Sequence, residues 1–121
     1  MAKIVLAGFD AESAVKLSLK LVGLSHETEF FPGDSAHLSA RHADLVFLSG
    51  DDIRSKRNLA AFLSKAPGTP VILASRTVQE SHWLAALEAG ATDYCSVDVD
   101  PANLDWMLKN ALECKVFAGA A

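Results

Sequence analysis

The feature that most constrains this chain is the stretch Asp44-Leu-Val-Phe-Leu-Ser-Gly-Asp-Asp52. Four apolar residues, 45–48, run without alternation and stop at Ser49-Gly50. A short continuous apolar run closed by turn residues reads as a strand buried on both faces. Its C-terminal end opens into a polar loop, and in an open α/β sheet that end is where ligands and chemistry sit. Ser49, Gly50, Asp51 and Asp52 therefore occupy the position where a site belongs.

The flanking sequence supplies the partners such a strand needs. Residues 3–7 form a first strand closed by Gly8. Residues 12–24 carry helical spacing: Ala14, Leu17, Leu21 and Leu24 fall on one stripe, Val15, Leu19 and Val22 widen it, and Lys16 and Lys20 mark the wet side. Gly23 is the expected stop. A second strand at 27–31 is closed by Pro32-Gly33, and Asp34 or Ser35 can cap a short helix to about residue 41. After the central strand come a helix at 58–65 with Leu59, Phe62 and Leu63 inward, a strand at 70–74, a helix at 78–89 stopped by Gly90, and a strand at 94–97. Pro101 starts a last helix running to about residue 115, with Leu104, Met107, Leu108, Ala111 and Leu112 inward.

Strands alternating with helices of this length imply a parallel sheet with right-handed crossovers and helices on both faces. The simplest solution for five strands is a flavodoxin-like, doubly wound (βα)5 three-layer sandwich in the order 2-1-3-4-5. The chain of 121 residues fits one domain, expected over 1–115, with 116–121 as a tail or the start of a linker.

Bulk properties narrow the function. Half the residues are hydrophobic, enough to fill a core, and a net charge of −4 argues against non-specific nucleic-acid binding. Arg54-Ser-Lys-Arg57 is too short a basic group to change that and reads as a solvated loop and helix start. Cys95 and Cys114 have neither CxxC nor metal spacing, so a reducing cytoplasm is expected. No apolar run approaches the ~20 residues of a membrane span, and no signal-peptide core is present.

Four stretches resemble the receiver domains of bacterial two-component response regulators, over roughly residues 3–115. Ala43-Asp-Leu-Val-Phe-Leu-Ser49 is similar to the strand that ends in the phosphoacceptor. Thr69-Pro-Val-Ile-Leu-Ala-Ser75 is similar to the strand that ends in the switch hydroxyl. Ala86-Leu-Glu-Ala-Gly-Ala-Thr-Asp-Tyr94 resembles the helix-to-strand passage and is the most specific of the four. Asp100-Pro-Ala-Asn-Leu104 resembles the start of the last helix.

The resemblance also implies a catalytic set that this chain lacks. Receivers place two acids after the first strand and an acceptor Asp after the third, and the three carboxylates hold Mg²⁺. Here the acid pair falls on Gly8 and Phe9, and the acceptor on Ser49. The phosphate-binding Lys falls on Val97 and the following Pro on Asp98. Only Ser75, for the switch hydroxyl, and Tyr94, for the switch aromatic, match. Phosphoryl transfer relies on metal and cation to stabilise spread charge, and no base is evident beside Ser49. Loss of aspartyl phosphorylation is expected, with the ring of Phe9 near the former site. Catalytic residues and cofactors are expected to be none.

Asp10, Asp51 and Asp52 remain as weak cation candidates, read otherwise as loop acids or caps. His26, His37, His42 and His82 have no ligand spacing and read as surface residues. No phosphate-binding glycine loop occurs, and the Thr/Ser-rich flavin loop of flavodoxins is missing. Trp106 lies about 200° round the last helix from Leu104 and Leu108, beside Asn103, Asn110 and Glu113. It is a candidate interface anchor, and Trp83 is either core or interface.

The leading expectation is a pseudo-receiver, a protein-interaction module of phosphorelay signalling that acts without phosphate. It would bind a protein partner or itself through the face of the fourth helix, fifth strand and fifth helix. The alternatives are an atypical receiver phosphorylated at Asp51 or Asp52, which an acid cluster would favour, and a small-ligand domain, which a deep pocket at Gly8, Ser49 and Ser75 would favour.

Overall fold

The computed structural model describes residues 2–31, 43–50, 55–65, 68–77 and 80–120. In chain order these form β1 (Lys3–Ala7), α1 (Ala11–Gly23), β2 (Glu27–Phe31), β3 (Leu45–Ser49), α2 (Ser55–Lys65), β4 (Val71–Ser75), α3 (Glu80–Glu88), β5 (Asp93–Ser96) and α4 (Pro101–Ala120). All neighbouring strands pair in parallel, in the expected order β2-β1-β3-β4-β5. The short helix expected before residue 41 lies outside the described residues, so the fourth and fifth helices of the sequence reading are α3 and α4. α4 continues past the expected end at residue 115 because nothing between there and Gly119 breaks a helix.

β3 is the axis of the sheet and is buried along its whole length. Its side chains alternate between two cores. Leu45 and Phe47 join Ile4, Leu6, Ile72, Leu17 and Leu21 of α1, and Leu104 and Leu108 of α4. Val46 and Leu48 join Val5, Val71, Leu73, Leu59 and Phe62 of α2, and Ala86 of α3. Each Leu or Phe so buried contributes about 1.5–3 kcal/mol, which explains why this strand carries no polar residue before Ser49.

β2 is one of the two edge strands, and its pattern is mostly exposed. Glu27 and Glu29 place charge on that edge, which discourages pairing with another chain.

α1 corrects one sequence-based expectation and adds detail to two others. Val15, Leu19 and Val22 do not widen the buried stripe; they are 50%, 69% and 57% exposed. Leu17 and Leu21 set the phase of the helix, and at 100° per residue the other three stand about 100–160° away from them. Lys16 and Lys20 do lie on the wetter side, exposed and half-buried, and both reach the strand ends: Lys20 Nζ donates to the Val97 carbonyl (2.9 Å) and Lys16 Nζ pairs with Asp98 (3.2 Å). Gly23 is the last residue of α1, as expected, and the turn is made just beyond it. Ser25 takes the left-handed conformation, φ 70°, and closes a Schellman motif in which Ser25 N–H donates to Val22 O and His26 N–H to Leu21 O.

His26 is likewise more than a surface residue, since the Ala2 N–H donates to its Nδ1 at 3.1 Å. Burial lowers its pKa below the ordinary 6.5, against the opposing charge of Asp105. A base with a depressed folded pKa binds more protons when unfolded, so its share of stability is complete above the ordinary imidazole pKa and is lost as pH falls through the folded one. Thermal melts from pH 7.5 to 5 should show a falling midpoint below about pH 6.5. His26→Gln should flatten that slope; an unchanged slope would remove His26 as its source.

Candidate functional site

Because the strands are parallel, the ends of β1, β3, β4 and β5 share one sheet edge. The register there sets Ala7 beside Leu48, Ser49 beside Ala74, and Ser75 beside Ser96. The positions singled out at Gly8, Ser49, Ser75 and Val97 therefore share one edge of the sheet.

Gly8 is exposed and turns the chain out of β1 with φ 82°. Phe9 is half-buried and packs against the core cluster beneath α1 and α4. Asp10 is the N-cap of α1, where its Oδ2 accepts the Ser13 N–H at 3.4 Å. A hydrogen bond with the Ser13 side chain, and to a smaller extent that backbone bond, hold its pKa below the ordinary carboxylate value. Among the described residues, no three His, Cys, Asp or Glu side chains group to hold a metal ion. Asp51 and Asp52 lie outside the described residues, as do His37 and His42 and the side chain of Trp83.

Ser49 ends β3 and is 8% exposed. The next residue, Gly50, donates its N–H to the Ala74 carbonyl at 2.8 Å. Ser75 and Tyr94 are both buried and hydrogen-bonded to each other through their hydroxyls. Ser75 Oγ also donates to the Thr77 carbonyl at 2.9 Å. A serine hydroxyl has one proton, so Tyr94 Oη–H must be the donor to Ser75. The relay Tyr94 to Ser75 to Thr77 is complete without any external oxygen.

The ring at these strand ends is thus that of Tyr94, which belongs to the core on the α2–α3 side. Phe9 packs on the opposite face of the sheet. A β-carbon built on Gly50 would meet Tyr94 Cε2 at 3.2 Å. Gly50 was not singled out in the sequence as a partner of Tyr94, and only the fold brings the two residues together.

Val97 is almost fully buried and donates its N–H to the Ser75 carbonyl at 2.9 Å. Positive charge here comes from α1 and from Arg76, which follows Ser75 and acts on Asp10. Lys20 reaches the Val97 carbonyl, and Lys16 lies between Asp98 (3.2 Å) and Glu12 (3.6 Å). The hydrogen bond to Asp98, and then its charge, raise the Lys16 pKa. A lysine pair four apart on the first helix was the sequence signal, but what it reaches depends on how α1 packs. Cys95 is buried and free, and burial pushes its thiol up to about 12, so it is unreactive.

Trp106 is 66% exposed on α4, as its helical phase requires. It is flanked by the Asp105–Lys109 ion pair (3.0 Å), and its carbonyl accepts from Asn110 Nδ2 (3.0 Å). Among the described residues, no helix is long and apolar enough to cross a membrane.

No protein-family model and no curated protein matches the sequence. Among solved structures, the chain is similar to NtrX from Brucella abortus in complex with ADP, with TM-score 0.85 and 21% identity over 98% of this chain. It spans only 28% of that protein's length. A CheY-like response regulator receiver domain protein from Methanospirillum hungatei JF-1 superposes with TM-score 0.77 and 17% identity, covering 98% of both chains. The BeF3-activated DrrB receiver domain gives TM-score 0.75 and 27% identity, covering 93% of this chain and 98% of its own. The fold is the flavodoxin-like fold of CheY-like receiver domains.

Proposed function

We propose that this chain is a pseudo-receiver: a receiver-fold domain of a two-component pathway that acts by binding protein, not by accepting phosphate, and is not an enzyme. The observation that carries this reading is the hydroxyl relay of Tyr94, Ser75 and the Thr77 carbonyl. The two switch-like residues already satisfy each other, at a strand end where Ser49 replaces the acceptor acid. No phosphoryl oxygen is needed to draw Ser75 into place. A two-state element responds only to something that binds its states differently, and this chain has lost the carboxylates that would hold such a group.

The surface assigned to the partner is the face of α3, β5 and α4, with Trp106 as anchor and the cytoplasm as its setting. A large aromatic ring at 66% exposure beside charged and amide groups matches the composition of interface hot spots. The partner is a protein or a second copy of the chain. Trp106→Ala should weaken self-association or partner capture, with a loss on the order of 2 kcal/mol for a hot-spot aromatic. The melting midpoint should hardly move, because surface substitutions stay within about 0.5 kcal/mol. Sedimentation velocity and thermal melting check both halves. Unchanged assembly together with a large stability loss would show that Trp106 acts in folding instead.

A further inference from the structure

Tyr94 is the only tyrosine in the chain, and its ring lies across the end of β3 at Gly50. A β-carbon on Gly50 would stand 3.2 Å from Tyr94 Cε2, 3.5 Å from Ser75 Cβ and 3.6 Å from the Ala74 carbonyl oxygen. Optimal carbon–carbon contact is about 3.5–4.0 Å, so even a methyl group crowds the ring. Anything larger must take the volume the ring now fills.

The backbone does not explain the glycine. Among the described residues, positive φ occurs at Gly8, Ser25 and Gly90 and not at Gly50. Gly50 N–H is tied to Ala74 O at 2.8 Å, so the backbone cannot easily withdraw from the ring. The remaining reason for a bare α-carbon is room for Tyr94. On its other side the phenol is held by Ser75, whose own proton goes to Thr77 O.

We infer that Gly50 is the socket of a steric latch. The absent side chain at position 50 lets Tyr94 close the β3–β4 strand end, and the size of residue 50, with no bound ligand, sets whether the ring is in or out. With the ring out, Ser75 loses the Tyr94 donor, the strand end opens to solvent, and the phenol joins the exposed surface at the β5 edge. The latch is independent of what that surface binds.

The single tyrosine gives a clean readout. The folded chain is treated with N-acetylimidazole, and O-acetylation of Tyr94 is followed by peptide mass spectrometry. The wild type should react about tenfold more slowly than N-acetyltyrosine amide, and Gly50→Val should recover most of that factor while still melting cooperatively. In the wild type, a nuclear Overhauser contact should join the Tyr94 ring protons to Gly50 Hα. If Gly50→Val does not fold, Gly50→Ala carries the test, with a rise of about two- to threefold expected because its contact must yield by only a few tenths of an ångström. A wild-type Tyr94 as reactive as the free analogue overturns the latch, as does a folded variant whose reactivity stays at the wild-type rate.

Discussion

Ser49→Asp alone leaves the protein without phosphoryl-transfer activity. After incubation with Mg²⁺ and acetyl phosphate, intact-mass spectrometry should find no stable acyl-phosphate fraction in the wild type or in this variant. The groups that serve such a transition state act together, and restoring one of a missing set returns little of the rate. Removing even one charge-stabilising group from an intact site costs about 10²–10³ in rate, and on the proposed reading Gly8, Phe9, Ser49 and Val97 stand where the metal carboxylates and the lysine would be. The structure adds obstacles at each position. Gly8 has φ 82°, where an L-residue is strained, Asp less so than most. Phe9 is packed against the α1–α4 core. Val97 is 1% exposed, so a lysine there must bring its ammonium out to the strand end. The combined variant Gly8→Asp, Phe9→Asp, Ser49→Asp, Val97→Lys should be needed before any phosphorylation appears. If Ser49→Asp alone is phosphorylated as fast as that combination, the missing partners are not what silences the site.

The sheet was legible because its strands announce themselves locally. Residues 45–48 and 71–74 are apolar without alternation, and only burial on both faces suits that pattern. β2 differs, with Glu27 and Glu29 interleaved, and it is an edge strand. Helix phase was less legible where apolar residues encircle the helix. Leu17 and Leu21 face the core, but Val15, Leu19 and Val22 are as apolar and face out. Periodicity cannot choose between two apolar stripes on one helix; the neighbouring α4 and sheet choose. Gly23 marked the end of α1 correctly, but the left-handed turn at Ser25 was hidden because a Schellman closure fixes position by hydrogen bonds.

The site divides in the same way. That Ser49, Ser75, Gly8 and Val97 meet at one edge follows from parallel strands alone. What fills that edge does not, because the contact of Tyr94 with Gly50 crosses from β5, past β4, to the end of β3. Lys16 and Lys20 show the same limit: their spacing was visible, but their reach to Asp98 and the Val97 carbonyl is a product of packing.

Gly90→Ala should be among the most destabilising single-methyl additions in the protein. Gly90 ends α3 in a Schellman motif, with Gly90 N–H donating to Leu87 O at 3.1 Å and Ala91 N–H to Ala86 O at 3.0 Å. Its φ is +106°, well beyond the left-handed helical region, and a non-glycine residue held there costs about 1–3 kcal/mol. The added carbon would also stand 2.7 Å from Leu63 Cδ1 on α2. Leu63 Cδ1 is the far end of a half-buried side chain packed against the α2–α3 core, so relieving that clash adds only the low end of an overpacking cost, about 1 kcal/mol. A total of about 2–4 kcal/mol lowers the melting midpoint by roughly 10 °C or more in a domain this size. Leu63→Ala separates the two causes. It carries its own cavity cost, but in a double-mutant cycle it should recover the steric part of the Gly90→Ala loss and leave the backbone part. A Gly90→Ala variant within about 0.5 kcal/mol of wild type would mean that the α3–β5 turn relaxes freely. In that case neither the left-handed backbone nor the Leu63 contact constrains the passage that leads the chain into Tyr94.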